Sequence, residues 1–480
     1  QGSQQLLMGE FKMANLTPLW KHQQRAVDFA RSKPGSMLAM EMGTGKSLCA
    51  VHLTALWEAT RILILCPKSV TGVWKREFEK HAPGMFEVCI LNKGTVKQKA
   101  DQAKLHLSVA QVKNRPAIFV INYESAWREP FAKWAQFEAN FDLAIFDESH
   151  KIKSHKGKAS RFCTSLNNIT RKLCLTGTPM PHSPGDIFAQ YRTISPEIFG
   201  TNWYRFRNHY AHMGGFQGKQ ILAWVNTDEL QEKFKSHAFQ VAKDDVLDLP
   251  EVRHIDIPIQ LEPKTRRIYD KLNNEFYCWL EDHQDEVTVA NALTKLLRLQ
   301  QATSGFAKAE SNGIVQIGEE KQSTLMDLIE GVDPSSPVVV FARFRQDLSV
   351  IKRVAESLGR VYGEVSGSRK DLTDHATMPE DVQVMGVQIQ SGGVGIDLTR
   401  AHIAIYYSMG YSLGDYVQSL ARLHRPGQDH PVAFFHLVAN NTVDQQVYNA
   451  LQSRQNVVAE ILEIDPELKK NGMTVQMEGE

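Results

Sequence analysis

Cysteine is scarce and scattered. Cys49, Cys66, Cys89, Cys163, Cys174 and Cys278 are the only six in 480 residues, and no two form a C-x-x-C pair. That spacing argues against a zinc ribbon or a disulfide framework and fits a reducing compartment. No apolar run approaches the roughly 18–20 residues of a membrane span. The N-terminus lacks the basic-then-apolar layout of a signal peptide. The expected location is therefore the cytoplasm or nucleoid, or a nucleus, with no membrane partner. Net charge is nearly absent: 55 Lys+Arg stand against 54 Asp+Glu, a formal +1. Any nucleic-acid surface must then be local. Solenoid-period repeats and low-complexity tracts are missing too.

What the chain does have is ordinary globular composition, 42% hydrophobic and 23% charged, at a length too great for one core. Short apolar, β-branched runs alternate with amphipathic stretches: ILILC (62–66), AIFVI (117–121), LAIF (143–146) and KLCLT (172–176), then VVVFA (338–342), VQVMGV (382–387), IAIYY (403–407) and VAFFHLV (432–438). Runs this short and apolar suit strands of a parallel sheet covered on both faces. They fall into two sets, about 36–177 and about 337–438, separated by a charged, helical pattern with few strand signals. The expectation is an α/β protein of two lobes with a largely helical insertion.

The stretch SMLAMEMGTGKSLCA (36–50) reads as an apolar strand, a Gly-rich turn and a helix. Gly43, Thr44, Gly45, Lys46 and Ser47 form the core of a Walker A loop, whose backbone N–H groups wrap a phosphate at a helix N-terminus. In that arrangement Lys46 meets the β- and γ-phosphates of ATP and the Ser47 hydroxyl binds Mg²⁺. The strict pattern has Gly where this chain has Met40. Alone, G-x-G-K-S also fits an ordinary turn before a helix.

About 100 residues later LAIFDESHKIKS (143–154) delivers two acids at the end of a strand. As a lone dipeptide Asp147-Glu148 fits a solvated turn. After a phosphate loop in a βα series it fits Walker B, with Asp147 on Mg²⁺ and Glu148 polarising the attacking water. Phosphoryl transfer needs Lys, cation and carboxylates to converge. From Lys151 to Lys172 come seven Lys/Arg and no acid. Such a run decorates a solvated face or grips phosphates without reading sequence. The segment NWYRFRNHYAH (202–212) reads as a helix core with a cationic rim more readily than as a base-stacking surface.

In order, these motifs resemble superfamily 2 helicase-type ATPases, and within them the Swi/Snf-like branch of double-stranded DNA translocases, in a compact form without accessory reader domains. The match spans about residues 16–455. LTPLWKHQ (16–23) is similar to the branch's opening motif, which implies that Gln23 reads the adenine edge. LILCPKSV (63–70) and VINYES (120–125) resemble two strand-end motifs that touch the DNA backbone. DESHKIKS resembles D-E-A-H-x-I-K-N, departing at Ser149 and Ser154, and LTGTP (175–179) resembles the motif linking ATP to DNA. VVVFARF (338–344) resembles the strand opening the second lobe. QSGGVGIDLTRA (390–401) and QSLARLHRPGQ (418–428) resemble the fifth and sixth motifs.

The resemblance implies two tandem RecA-like parallel-sheet lobes with helical insertions and one ATP site in the cleft between them. It assigns residues 1–15 to a tail whose QGS looks like a tag remnant. The first lobe is 16–250 with a protrusion at about 185–245, the second 251–460 with one at about 262–330, and 461–480 is a tail. Gln418, Arg422 and Arg425 stand at Q-x-x-x-R-x-x-R spacing. Two Args one helical turn apart can share a face, and the resemblance makes them arginine fingers. Gly395 and Asp397 would touch the nucleotide, although the branch more often has Asn at the latter. His150 would relay between the carboxylates and LTGTP. Implied DNA contacts are Lys68, Ser69, Tyr123, Lys151, Lys153, Thr178, Arg343, Ser391 and Gly392. Gln240 and Val241 replace a pair of Args associated with lobe coupling. The implied function is a monomeric, DNA-stimulated ATPase moving along duplex DNA, including forked or protein-bound DNA. The alternatives are a fork-remodelling or strand-separating helicase and an ATP-switched structural or effector subunit.

Overall fold

The computed structural model describes residues 16–215, 220–242, 249–282, 289–308, 313–372, 377–390 and 396–461. They divide into two units, one running to Asp248 and the other beginning at Leu249. Gly395, Ser391, Gly392 and both tails lie outside the described residues.

The first unit carries β1 (Gly35–Met40), β2 (Arg61–Cys66), β3 (Glu87–Leu91), β4 (Ala117–Asn122), β5 (Leu143–Asp147), β6 (Arg171–Thr176), a hairpin of β7 (Ala211–Gly214) and β8 (Gln220–Trp224), and β9 (Ala238–Val241). Its seven-stranded sheet runs in the order β3-β4-β2-β5-β6-β1-β9, with every pair parallel. Alternate side chains enter opposite cores. Met37, Ala39, Leu63 and Leu65 pack on one face, and Leu38, Met40, Ile62 and Ile64 on the other. Burial on both faces is why these strands read as unbroken apolar runs.

The second unit carries β10 (Val252–Ile259), the short pair β11 (Phe306–Lys308) and β12 (Ile314–Gln316), then β13 (Val338–Ala342), β14 (Tyr362–Val365), β15 (Val384–Gln388), β16 (Ile403–Tyr406) and β17 (Val432–Ala439). Six of them form a parallel sheet in the order β10-β17-β16-β13-β15-β14. A buried ion pair, Lys321 Nζ to Asp444 Oδ2 at 2.5 Å, ties two helices of this lobe.

The segment expected to be largely helical is more mixed. It holds helices such as Ile187–Ile194, Thr227–His237 and Val289–Thr303, but also two hairpins and the edge strands β9 and β10. The edge strands were hidden because an edge position is half covered: AFQV and VRHIDIPI are largely half-buried and interleave polar with apolar residues. Gln240 and Val241, standing where paired Args were expected, lie in β9 beside Ala39 and Met40. The Val241 carbonyl accepts the Glu41 N–H at 2.9 Å, so this edge strand is stitched to the start of the phosphate loop.

Asp347 is the least comfortable residue of the second core. It is fully buried in the first turn of the helix Arg345–Ser357. One oxygen accepts the Phe344 N–H at 3.2 Å and the Ser408 hydroxyl, while Oδ1 has no partner. Burial pushes its carboxyl from 3.8 up to about 6. Between those values the folded chain holds a proton that the unfolded chain has released. Stability therefore falls as pH rises from about 4 to about 6 and stays lower above, by on the order of 3 kcal/mol. Asp347→Asn should lose less of its urea midpoint than the parent between pH 4 and pH 7; equal losses would reject the assignment.

Candidate active site

The site residues of the first lobe gather at the carboxyl ends of its parallel strands, where open α/β sheets bind ligands. β1 ends at Met40, and a tight loop leads to the helix Lys46–Leu56. Gly43 and Gly45 take φ of 87° and 89°, the left-handed region glycine tolerates. A Cβ on Gly45 would also lie 2.3 Å from Gln23 Nε2. Met40, by contrast, is a buried strand residue that needs no glycine.

The loop's carbonyls are turned to protein donors. Met40 and Glu41 accept Lys46 Nζ at 2.7 and 3.0 Å, and Glu41 also accepts the Thr44 hydroxyl at 2.7 Å. Thr44 O faces His22 Nε2 at 2.9 Å and accepts Gln23 Nε2 at 3.1 Å. Opposite them stand the first N–H groups of the helix, Ser47 among them, which have no intrahelical partner and suit an anion. Gln23, implied to read adenine, already bridges the loop and the Trp20 N–H, which Oε1 accepts at 2.9 Å.

Asp147 closes β5. Its Oδ2 accepts Trp74 Nε1 and its Oδ1 the Glu148 N–H, both at 3.0 Å. Burial and then the Glu148 charge push the Asp147 carboxyl up to about 7. Burial lowers the Lys46 pKa, while Glu148, Asp147 and Glu41 oppose it. The three expected groups thus share one electrostatic pocket. Two adjoining, half-buried carboxylates are a hard-oxygen donor set short of positive charge. That fits Mg²⁺, which takes one or two protein carboxylates and completes its shell with water and phosphate. Among the described residues no group of three or more His, Cys, Asp and Glu is placed to hold a metal ion.

Glu148 sits at φ 50°, ψ 53°, an uncommon conformation for a residue with a side chain. Strain of this kind persists where surroundings enforce it, often at functional sites. Its Oε2 lies 3.3 Å from His150 Nδ1, which is 3.5 Å from the Thr176 hydroxyl at the end of β6. His150 thus stands between the carboxylates and LTGTP, the position expected for it. Ser149 adds a second link that the sequence did not disclose. Its hydroxyl donates to Gln190 Oε1 at 2.7 Å, and Gln190 Nε2 donates to Pro179 O at 2.8 Å.

In the second lobe, Gln418 and Arg422 lie on the helix Leu413–Leu423, but Arg425 does not. The expected one-face pair of Args is corrected: the helix stops between them. Arg425 precedes Pro426, which disfavours helical backbone. Gln428 Nε2 lies within bonding distance of the Leu423, Ala401 and Thr399 carbonyls, 2.9 to 3.2 Å away, capping the helix end. The Arg422 carbonyl accepts the Leu398 N–H at 3.1 Å, which joins the fifth and sixth motifs. Asp397 Oδ1 accepts the Thr399 N–H at 3.0 Å and its hydroxyl at 2.7 Å, so that oxygen is committed locally.

A family model described as the SNF2-related domain matches residues 19–305, and one for the helicase conserved C-terminal domain matches 320–427. This chain belongs to the SNF2-related family. It is accordingly an ATPase of helicase superfamily 2. A SWI/SNF-related matrix-associated actin-dependent regulator of chromatin subfamily A-like protein 1 homolog from Caenorhabditis elegans is 27% identical over 92% of this chain. Human DNA annealing helicase and endonuclease ZRANB3 is 25% identical over 92%, and an uncharacterized ATP-dependent helicase of Mycoplasma pneumoniae is 23% identical over 93%. The chain spans 62% of the nematode protein and 40% and 42% of the other two. A solved Sulfolobus solfataricus SWI2/SNF2 ATPase core in complex with dsDNA is similar at 19% identity and a TM-score of 0.43, covering 96% of this chain and 98% of that one.

The DNA contacts that SNF2 resemblance implied are placed unevenly. Lys68 and Lys151 are exposed, Lys153 is half-buried, and Ser69 lies in the single turn Lys68–Val70. Thr178 is half-buried, with its hydroxyl oxygen unpartnered. Arg343 is half-buried and donates to Gln300 Oε1. Tyr123 is corrected: it is buried, and its hydroxyl donates to the Asp147 carbonyl at 2.9 Å, so it braces the carboxylate strand instead of facing DNA. The basic run from Lys151 to Lys172 is also not one surface. β6 begins at Arg171, putting Arg171 and Lys172 at the amino end of that strand, away from Thr176 at its carboxyl end, roughly 15 Å away at the rise of a strand. In the aromatic segment Phe206 and Tyr210 are core, and Tyr204 is exposed.

Glu148→Gln removes a charge that disfavours ionised Asp147. It should raise the melting temperature while cutting ATP turnover at least ~100-fold, the usual scale for a lost general base, with nucleotide binding retained. Turnover near the parent's would reject Glu148 as base. Tyr123→Phe strands a buried carbonyl and should cost about 1–3 kcal/mol in urea unfolding, without altering duplex-DNA affinity. A loss of affinity with the salt slope unchanged would restore Tyr123 as a phosphate contact.

Proposed function

We propose that this protein is an ATP-driven motor on duplex DNA, with hydrolysis stimulated by DNA and movement that remodels DNA or protein–DNA complexes without obligatory strand separation. The observation that carries this reading is the convergence of Lys46, Asp147 and Glu148, continued through His150 to Thr176 in LTGTP. Lys46 and the helix N–H groups hold the ATP phosphates, and Ser47 and Asp147 hold Mg²⁺. The ion supplies charge neutralisation for phosphoryl transfer. Glu148 accepts a proton from the attacking water, with His150 beside it. Arg422 and Arg425 are assigned to the γ-phosphate as arginine fingers. Lys68 and Lys151 suit backbone phosphates and a sequence-independent, salt-sensitive grip.

A second reading, fork remodelling or strand separation, gains from two observations. One relative is named an annealing helicase, and the hairpin β7–β8 exposes Ile221 and Leu222. The decisive experiment is the ATPase rate with linear duplex, forked, single-stranded DNA and RNA. It is paired with triplex displacement against forked-duplex unwinding. Stimulation by linear duplex with triplex displacement is expected. No stimulation by any nucleic acid would sink the motor and leave an ATP-switched subunit. Arg425→Ala should spare ATP binding and lower the stimulated rate about 10³-fold or more, as loss of other arginine fingers does.

A further inference from the structure

Lys99 belongs to none of the motifs above, yet its placement is costly. It lies on the helix Val96–Val112 and is 5% exposed. Its ammonium donates to two neutral oxygens, Ser125 Oγ at 2.9 Å and Asn122 Oδ1 at 3.3 Å. Among the described residues it forms no ion pair, and only the charge of Glu124, not in contact with it, opposes its burial. The nearby acid, Glu124, takes the Asn122 amide at 2.8 Å instead. Burying a lysine without a carboxylate partner is expensive, and here two more cations make it worse. Burial, then the charges of Lys68 and Arg128, push the Lys99 pKa down. Arg128 and Lys158 also lie over the ring of Trp127, at 5.1 and 4.7 Å.

The assembly stands at the carboxyl ends of β2 and β4, the edge of the sheet that holds Asp147. Ser125 is half-buried, and because its oxygen accepts from Lys99, its own proton is available to point outward. A hydroxyl backed by a buried ammonium and rimmed by exposed cations is complementary to an anion with several acceptor oxygens. The short helix bearing Ser125 begins with Tyr123, whose hydroxyl holds the Asp147 carbonyl. An anion seated here is thus one bonded step from the carboxylate strand.

We infer that Ser125 and Lys99, with Lys68 and Arg128 at the rim, form a seat for one backbone phosphate of the nucleic acid, in which Ser125 donates directly and Lys99 positions and charges it. This rests on the DNA-motor reading. Neither residue belongs to the ATP machinery, so both can be altered without touching it. The test measures duplex-DNA affinity of the full chain against salt, together with urea unfolding, for the parent, Lys99→Gln and Ser125→Ala. In Lys99→Gln the slope of log affinity against log salt should become shallower by roughly 0.9, the loss of one neutralised phosphate. In Ser125→Ala affinity should fall with the slope unchanged, because no charge is removed. A Lys99→Gln protein that loses stability but keeps the parent slope would show a purely structural lysine and overturn the seat alone. So would a Ser125→Ala protein of parental affinity. A parent that binds no DNA overturns both the seat and the motor reading.

Discussion

Two carboxylates held side by side in a half-buried pocket set the terms for the first lobe. Asp147 and Glu148 follow β5, where burial and mutual repulsion make full ionisation unfavourable. Such a pair is stable only with positive charge close by, and the sheet order supplies it. β5 and β6 bring the acids beside β1, whose loop delivers Lys46. The neighbours then serve to hold this arrangement. Trp74 and Tyr123 fix Asp147 through its side chain and its carbonyl. The left-handed backbone at Glu148 aims the second acid toward His150. A divalent cation and a phosphate would balance these charges, which is why the arrangement suits a hydrolytic site better than a turn.

The departures from family pattern become intelligible in the same terms. Met40 is harmless because the strand continues through it, and the conformational demand falls on Gly43 and Gly45. Ser149 replaces a smaller apolar residue and gains a buried hydrogen bond to Gln190, which reaches Pro179 of LTGTP. The carboxylates are thereby joined to that motif twice, through His150 and through Ser149. Gln240 and Val241 are strand residues whose backbone, through Val241, steadies the phosphate loop. The terminal Gln428 of the sixth motif serves as a cap, closing the helix that carries Arg422.

Legibility followed chemistry more than location. The phosphate loop, the paired acids and the inner strands were readable because each depends on a local pattern: glycine spacing, an apolar run, a carboxylate at its end. The edge strands β9 and β10 were not, since half-covered strands carry polar residues that mimic helix or loop. Tyr123 was misjudged because a tyrosine at a strand end looks the same whether its hydroxyl meets phosphate or a neighbouring carbonyl. The basic run from Lys151 to Lys172 suggested one surface only until β6 set its first residues at the amino end of the strands, opposite the motifs. Lys99 gave no signal at all, because a lysine on an amphipathic helix is ordinary until its ammonium is found buried beside Ser125.

By itself the sequence determined the class of machine: two parallel-sheet lobes, a phosphate loop, a carboxylate pair and an arginine motif in family order, all encoded in short contiguous stretches. Tertiary structure decided which of those side chains remain available to a ligand. Burial and hydrogen bonding compete for the same polar atoms, and that competition is settled by residues far away in the chain. Asp147 meets Trp74 across 73 positions and Lys99 meets Ser125 across 26. No local pattern records those meetings, so the division between bracing and binding residues could come only from the fold.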